Sequence, residues 1–160
     1  MPRRSRTLLL VAVAVISAAT VPSVGLGAGA LTRTERSVFD AINRQRLAHA
    51  ARAVVVVPPL ERAARDHTDD MVIRGYFSHA GFPDRLWESG VRGPIIGEDL
   101  GWSVDDGAAI GRILRMWLAS PTHRAILLRT GFHAVGIAVR RGSFAGWPRA
   151  VVVTADFEGH

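Results

Sequence analysis

A histidine follows directly after a Ser-Pro break in the segment WLASPTHR, residues 117–124. Pro121 disfavours helical geometry at Ser120, and a serine followed by proline is a strong start signal for a new helical turn. His123 then lies in that first turn, where the positive end of the helix dipole disfavours the imidazolium form. The neutral imidazole can ligate a metal ion or accept a proton, or it can simply bond the nearby backbone and tighten the corner.

The helix that leads into this break has a strongly apolar inner face. Its members recur at helical spacing: Ile110, Ile113, Leu114, Trp117 and Leu118. Asp105 or Asp106 is the expected N-cap. The four tryptophans, Trp87, Trp102, Trp117 and Trp147, are candidates to line a groove for an apolar ligand, with core packing favoured for Trp117.

Two earlier helices are predicted upstream. The first begins with a capping box, Thr32 to Glu35, and runs to about Ala51, where VVVVPP (54–59) breaks it. The second spans about Leu60 to Arg74 and ends at Gly75, a C-cap glycine. His67 lies on its apolar stripe, which favours a core histidine satisfied by one hydrogen bond. Residues 85–89 can form one more short helical piece.

Strand composition dominates the remaining segments. PIIGEDLGW (94–102) is apolar and branched, and runs 133–141 and 149–157 flank the turn GSFAGWP, which predicts an antiparallel hairpin. Gly97 and Gly101, on either side of Glu98, indicate close backbone approach. The sequence therefore predicts one α+β domain in which helices cover a small antiparallel sheet.

The first thirty residues have the organisation of an export signal. A basic start, MPRRSR, precedes an apolar run, and Ala28-Gly29-Ala30 fits a cleavage site. The segment is interpreted as a signal peptide, residues 1–30, with an uncleaved membrane anchor as the alternative. Cleavage would leave residues 31–160 as one domain that is secreted and contacts the membrane only through the signal peptide.

Composition excludes several classes of site. The chain has no cysteine, so disulfides and thiolate metal sites are absent. All 20 basic residues are arginines, the formal net charge is +6, and three of the arginines lie in the predicted signal peptide. The charges are interspersed, so no nucleic-acid footprint is indicated.

Four segments, in this order and at these separations, resemble the CAP/SCP superfamily in its cysteine-free bacterial form: DHTDDMVIRGYFSH, GEDLGW, WLASPTHRAIL and VGIAV. The superfamily includes the cysteine-rich secretory and pathogenesis-related proteins. The resemblance begins near AINRQR and continues to TADF, so it covers essentially all of residues 31–160. It implies an α-β-α sandwich with a three- to four-stranded antiparallel sheet.

The resemblance also implies a cleft lined by histidines and glutamates. His79 matches the histidine of the Tyr-Phe-Ser-His motif, Glu98 the glutamate of the Gly-Glu-Asn motif, and His123 the histidine of the Ser-Pro-x-His motif. Two imidazoles and a carboxylate can hold a divalent metal such as zinc with one position open to water. Alternatively, Glu98 does not bind the metal and instead orients the imidazole of one histidine by a hydrogen bond. In a further alternative, His79, Glu98 and His123 form only a buried polar network.

Three further positions surround this triad. Ser120 stands where the family has a second glutamate, and Asp99 stands where the motif has asparagine. Arg124, beside His123, either binds an anionic group or pairs with Asp99. These departures leave a His-Glu-His triad in place of the family's full set of four.

Three functions are compatible with these residues. The favoured hypothesis is an extracellular binding module for a lipid-like, sterol-like or envelope component. The second is a divalent-metal-dependent hydrolase that uses His79, Glu98 and His123. The third is an interaction or signalling scaffold with a vestigial cleft. Whether the protein is an enzyme stays open at this point, because a shared fold carries many activities.

Overall fold

The computed structural model of the protein describes residues 30–160, so the predicted signal peptide, apart from Ala30, lies outside the described residues. In chain order the described elements are α1 (Arg33–Ala48), β1 (Val55–Val56), α2 (Pro58–Arg74), α3 (Asp84–Glu88), β2 (Ile95–Val104), α4 (Ala109–Ala119), α5 (Pro121–Leu127), β3 (Phe132–Phe144) and β4 (Trp147–Gly159). Within this range no helix combines the length and the apolar character needed to cross a bilayer.

The four strands form one sheet in the order β1-β3-β4-β2. The predicted hairpin is confirmed: β3 and β4 are antiparallel, and β2 is antiparallel to β4 on its other side. The strands are longer than predicted because only Ala145 and Gly146 form the turn, both with positive φ (50° and 81°), as type I′ hairpin turns require. The two-residue β1, from the segment interpreted only as a helix breaker, pairs parallel to β3.

Local signals define α1 and α2 well. The capping box is present, with Thr32 N donating to Glu35 Oε2 at 2.8 Å and Glu35 N donating to Thr32 Oγ1 at 3.3 Å. Helix α1 ends three residues before the predicted boundary, at Ala48. Helix α2 begins two residues early because a proline is well suited to the first helical position, and it ends at Gly75 with φ 69°.

The predicted cap of α4 is wrong. Ala108 occupies the N-cap position and no side chain caps this helix. Asp105 instead pairs with Arg141 at 3.2 Å, and Asp106 accepts a bond from Arg112 at 2.5 Å. A bend at Asp106 and Gly107, which the sequence did not predict, separates Asp105 from the start of the helix. At the next junction Ser120 is the N-cap of α5 as predicted, although its side chain makes no capping hydrogen bond.

Helices cover both faces of the sheet, which confirms the α-β-α sandwich. Helices α1, α4 and α5 pack on one face around a core cluster that includes Ile42, Ile113, Trp117 and Phe157. Helices α2 and α3 pack on the other face around two smaller clusters, one containing Leu60 and Leu86, the other Met71 and Leu100.

Two buried features hold these layers at close range. A Cβ at Gly136 would overlap the Leu60 carbonyl group, so glycine allows α2 to lie directly on β3. On the opposite face the buried Arg46 guanidinium of α1 donates to four backbone carbonyls, those of Arg52, Leu127, Arg129 and Phe132, at 2.7–3.1 Å. It thereby links α1 to the end of α5 and the start of β3.

Candidate functional site

Strand β2 carries the central carboxylate of the site. Glu98 is 2% exposed and lies on the same face as Leu100, toward α2, because alternate residues of a strand share a face. Gly97 and Gly101 lie on the opposite face, where a Cβ at Gly101 would overlap Ile113 and contact Trp117. The two glycines therefore allow α4 and α5 to pack closely against β2, as the sequence indicated.

Three side chains from three different segments surround Glu98, and two of them bind its oxygens. His79, in the loop after α2, places Nδ1 2.6 Å from Glu98 Oε1. Arg85 of α3 forms an ion pair with the other oxygen, Oε2, which also lies 3.9 Å from His67 Nε2. Since His67 Nε2–H donates to the Ser78 carbonyl at 3.0 Å, the prediction of a core histidine with one hydrogen bond is confirmed.

A second buried acid shares the same guanidinium. Asp156 of β4 stands directly opposite Glu98 in the strand register and is fully buried. Arg85 Nη1 donates to Asp156 Oδ2 at 3.1 Å. One arginine therefore bridges two neighbouring carboxylates that water does not reach.

Burial dominates the ionisation of this network. It raises the pKa of Asp156 to about 6, against the opposing effect of Arg85. Burial, together with the nearby Arg85, lowers the pKa of His67 to about 4. The pKa of His79 is also lowered, first by burial and then by the neighbouring His123 and Arg85. Both His67 and His79 are therefore neutral near pH 7.

A cleft of about 760 Å³ lies beside this network, between the edge of β2 and the helices α4 and α5. Its lining comes from the loop after α2, β2, the β2–α4 loop, α4, the start of α5 and β4: Phe77, His79, Leu100, Gly101, Trp102, Ser103, Val104, Asp106, Arg112, Met116, Trp117, Ser120, His123 and Trp147. His79 and His123 thus face one cleft, with Ser120 beside them. Glu98 holds His79 from the buried side.

The lining of the cleft is mostly apolar. Phe77, Met116 and Trp147 are 42%, 44% and 50% exposed, which is unusual for side chains of this size, and half-buried Trp102 adds a further ring. Of the four candidate tryptophans, Trp102 and Trp147 line the cleft, whereas Trp87 lies on α3 outside it. Trp117 borders the cleft but is 1% exposed within the core cluster, as the sequence favoured.

The floor of the cleft is the free edge of β2, because β2 is the last strand of the sheet. Side chains already cover part of this edge. Trp117 Nε1 donates to the Leu100 carbonyl at 2.7 Å, and Arg112 Nη1 donates to the Val104 carbonyl at 3.3 Å. Such covering is one way in which proteins protect an edge strand from pairing with another chain.

Two positions expected near the triad are elsewhere. Asp99 points to the opposite face of β2, where it is fully buried, and neither carboxylate oxygen has a hydrogen-bond partner within the described part of the chain. Burial raises its pKa to about 8. Arg124 is exposed on α5 and forms no ion pair among residues 30–160. Of the two alternatives for Arg124, the pair with Asp99 is therefore wrong, and binding of an anionic group stays a prediction.

The arrangement does not fit a metal ion held by His79, Glu98 and His123. Across residues 30–160 no group of three or more histidine, aspartate or glutamate side chains is placed to hold one. Both oxygens of Glu98 are engaged, one by His79 and one by the Arg85 cation. A metal at this carboxylate would have to displace the guanidinium.

Arg85 and Asp156 are the residues of the site that the sequence interpretation missed. Arg85 lies in FPDRLWESG, interpreted only as a short helical piece, and Asp156 lies within a predicted strand. A buried glutamate requires a cation in principle. Nothing in the spacing distinguishes Arg85 from the other arginines, so no local signal identifies it.

Comparisons with known proteins agree with this fold. Residues 39–157 match the family described as "CAP: Cysteine-rich secretory protein family". The chain is 30% identical over 115 residues to an uncharacterised membrane protein, YlbC, of Bacillus subtilis; the match covers 69% of this chain and 32% of that protein. The chain thus spans about a third of the length of this relative.

Solved structures show the same fold. An extracellular protein containing an SCP domain from Bacillus anthracis superposes with a TM-score of 0.62 at 26% identity, over 83% of this chain and 45% of that one. An outer surface protein of Borrelia burgdorferi gives a TM-score of 0.61 at 17% identity, over 82% and 97% of the two chains. The second likeness bears on the fold alone.

Proposed function

This chain belongs to the cysteine-rich secretory protein (CAP) family, and on that premise we propose that it is an extracellular binding module whose cleft takes a lipid-like molecule. The observation that carries the proposal is the cleft of about 760 Å³ with exposed aromatic and methionine side chains. Its volume is typical of small-molecule sites, which are mostly apolar with a few placed polar groups. Similarity to an extracellular protein of Bacillus anthracis supports the location.

The polar end of the cleft favours a neutral head group. His79, His123 and Ser120 line it together. Because His79 shares its Nδ1 proton with Glu98, Nε2 is the nitrogen left to accept a hydrogen bond. A ligand hydroxyl can donate to it. The proposed ligand is accordingly an apolar molecule that ends in a hydroxyl, as sterols and fatty alcohols do.

The edge of β2 argues against an extended peptide in the same place. A peptide that adds to a sheet edge gains its affinity from main-chain hydrogen bonds. Two outward carbonyls, those of Leu100 and Val104, are already bonded to Trp117 and Arg112. What the cleft offers in addition is apolar area, and burial of such area stabilises a complex by roughly 25 cal/mol per Å².

The test is a titration of the purified protein with dehydroergosterol, a fluorescent sterol that accepts energy from tryptophan. Saturable binding is expected, together with at least about a tenfold loss of affinity, about 1.4 kcal/mol, in Met116→Asp. The matched control is Ile73→Asp, since Ile73 is 82% exposed on α2 and outside the cleft. Unchanged binding in Met116→Asp, or no saturable binding to the wild type, would contradict the proposal and favour a scaffold.

A further inference from the structure

We propose that Arg85 is the built-in cation of this site: it holds Glu98 and Asp156 together, positions His79, and keeps divalent metal ions off the carboxylates. The proposal does not depend on which ligand the cleft takes. It accounts for a family-type His-Glu-His set that does not form a metal site in this chain.

The first step concerns charge. Glu98 and Asp156 are paired across β2 and β4 and are at most 2% exposed. Two ionised carboxylates so placed would repel each other and lack hydration, so they need a cation within reach. Arg85 is the arginine that contacts both, through Nη2 to Glu98 and Nη1 to Asp156. A guanidinium suits this task because it presents several N–H donors in one plane.

The second step concerns the anchoring of Arg85. Its side chain is only 16% exposed, and its backbone N–H donates to the Gly81 carbonyl at 2.9 Å. The next residue, Leu86, is fully buried and packs in the cluster with Leu60. The short helix α3 therefore presents the guanidinium from a fixed position.

The third step concerns His79. Its side chain is 52% exposed and lies in a loop, so few contacts restrict its ring. With Glu98 Oε2 taken by Arg85, Oε1 is the oxygen that accepts from His79 Nδ1 at 2.6 Å. Arg85 thus acts through Glu98 to select the Nδ1–H tautomer of His79, which leaves Nε2 unprotonated toward the cleft.

The fourth step concerns metal exclusion. A divalent ion bound to Glu98 would lie against the guanidinium or would expel it, and expulsion would leave Asp156 buried without its partner. Either outcome opposes binding. His79 and His123 alone supply two ligands, fewer than the three that protein zinc sites usually provide.

The experiment compares the wild type with Arg85→Met in two measurements. Long-range ¹H–¹⁵N spectra of ¹⁵N-histidine protein report the His79 tautomer, with His79→Gln supplying the assignment. Zinc titration by calorimetry reports metal binding. We expect a single Nδ1–H tautomer in the wild type, and in Arg85→Met a mixed tautomer and at least tenfold tighter zinc binding. Arg62→Met is the matched control, because within residues 30–160 the Arg62 side chain makes a single hydrogen bond, an exposed one to the Ser89 carbonyl.

Two further variants keep the outcome decisive. Arg85→Lys keeps a cation beside Glu98 but lacks the planar fork that reaches both carboxylates, so zinc binding should stay weaker than in Arg85→Met and the Nδ1–H tautomer should be retained in part. A purely structural role of the side chain would not predict this difference from Arg85→Met. If Arg85→Met does not fold, the wild type is compared with Glu98→Gln. Zinc bound by the wild type and lost in Glu98→Gln would overturn the proposal, as would a wild-type His79 in the Nε2–H tautomer. Zinc binding that Glu98→Gln leaves unchanged supports it.

Discussion

Replacing Asp99 with asparagine should alter how the stability of this protein depends on pH. Asp99 is fully buried, neither carboxylate oxygen has a hydrogen-bond partner among the described residues, and burial raises its pKa to about 8. In the unfolded chain an aspartate has a pKa near 4. Between these two values the folded protein binds the proton more tightly than the unfolded chain does, so unfolding releases it. The free energy of unfolding therefore falls as pH rises from about 4 to about 8.

The magnitude follows from the width of that window. Each pH unit within it lowers the free energy of unfolding by at most about 1.36 kcal/mol. From pH 5 to pH 8 the largest possible loss is thus about 4 kcal/mol. Structural relaxation and water entry reduce such effects, so we expect a loss on the order of 2 kcal/mol. Asparagine does not titrate, and Asp99→Asn should remove this part of the pH dependence.

Urea denaturation of the wild type and Asp99→Asn at pH 5, 6.5 and 8 measures the effect. The informative quantity is the change with pH in the difference between the two proteins, because any fixed effect of the amide cancels, as do the contributions of His67 and Asp156. Asp40→Asn, at an exposed position of α1, is the control and should run parallel to the wild type. Parallel curves for Asp99→Asn as well would refute the reasoning.

Two other substitutions test the contacts that hold the layers together. Arg46→Met should lower the free energy of unfolding by about 3 kcal/mol or more, because it leaves four carbonyls without their donor. Arg44→Met, at an exposed position of α1, is the control and should change the stability in urea little. Equal losses in the two variants would contradict this account of Arg46. Gly136→Ala should cost several kcal/mol or prevent folding, since its Cβ would overlap the Leu60 carbonyl, whereas Gly142→Ala meets open space and should melt near the wild-type temperature.

The proposals on the cleft and on Arg85 address different parts of the same site. The apolar lining determines what the cleft can hold, whereas the Arg85–Glu98–His79 chain determines the chemical form of one polar group at its end. Loss of sterol binding in Met116→Asp would leave the tautomer of His79 unchanged. Loss of the Nδ1–H tautomer of His79 in Arg85→Met would change the polar end of the cleft and leave its apolar lining in place.

Local chemistry made several elements of this fold predictable from sequence. The Thr32–Glu35 box, the glycine after α2 and the Ser120-Pro121 pair mark boundaries that depend on neighbouring residues only. The motifs that carry the family resemblance predicted one cleft for His79, Glu98 and His123; the two histidines line the cleft, whereas Glu98 lies behind His79. Asp105 and Asp106 show the limit of this approach, because an acid before a helix caps it only if no bend intervenes.

The tertiary structure alone decided what happens to Glu98. The residues around Glu98 in the sequence are compatible with three roles: a metal ligand, an orienting group or part of a buried network. The role depends on which cation lies beside the carboxylate. That cation, Arg85, is 13 residues away in the chain, and the second acid, Asp156, is 58 residues away. Helix α3 and the β2–β4 register bring them together, and contacts of this kind leave no periodicity in the sequence because they depend on how separate elements pack.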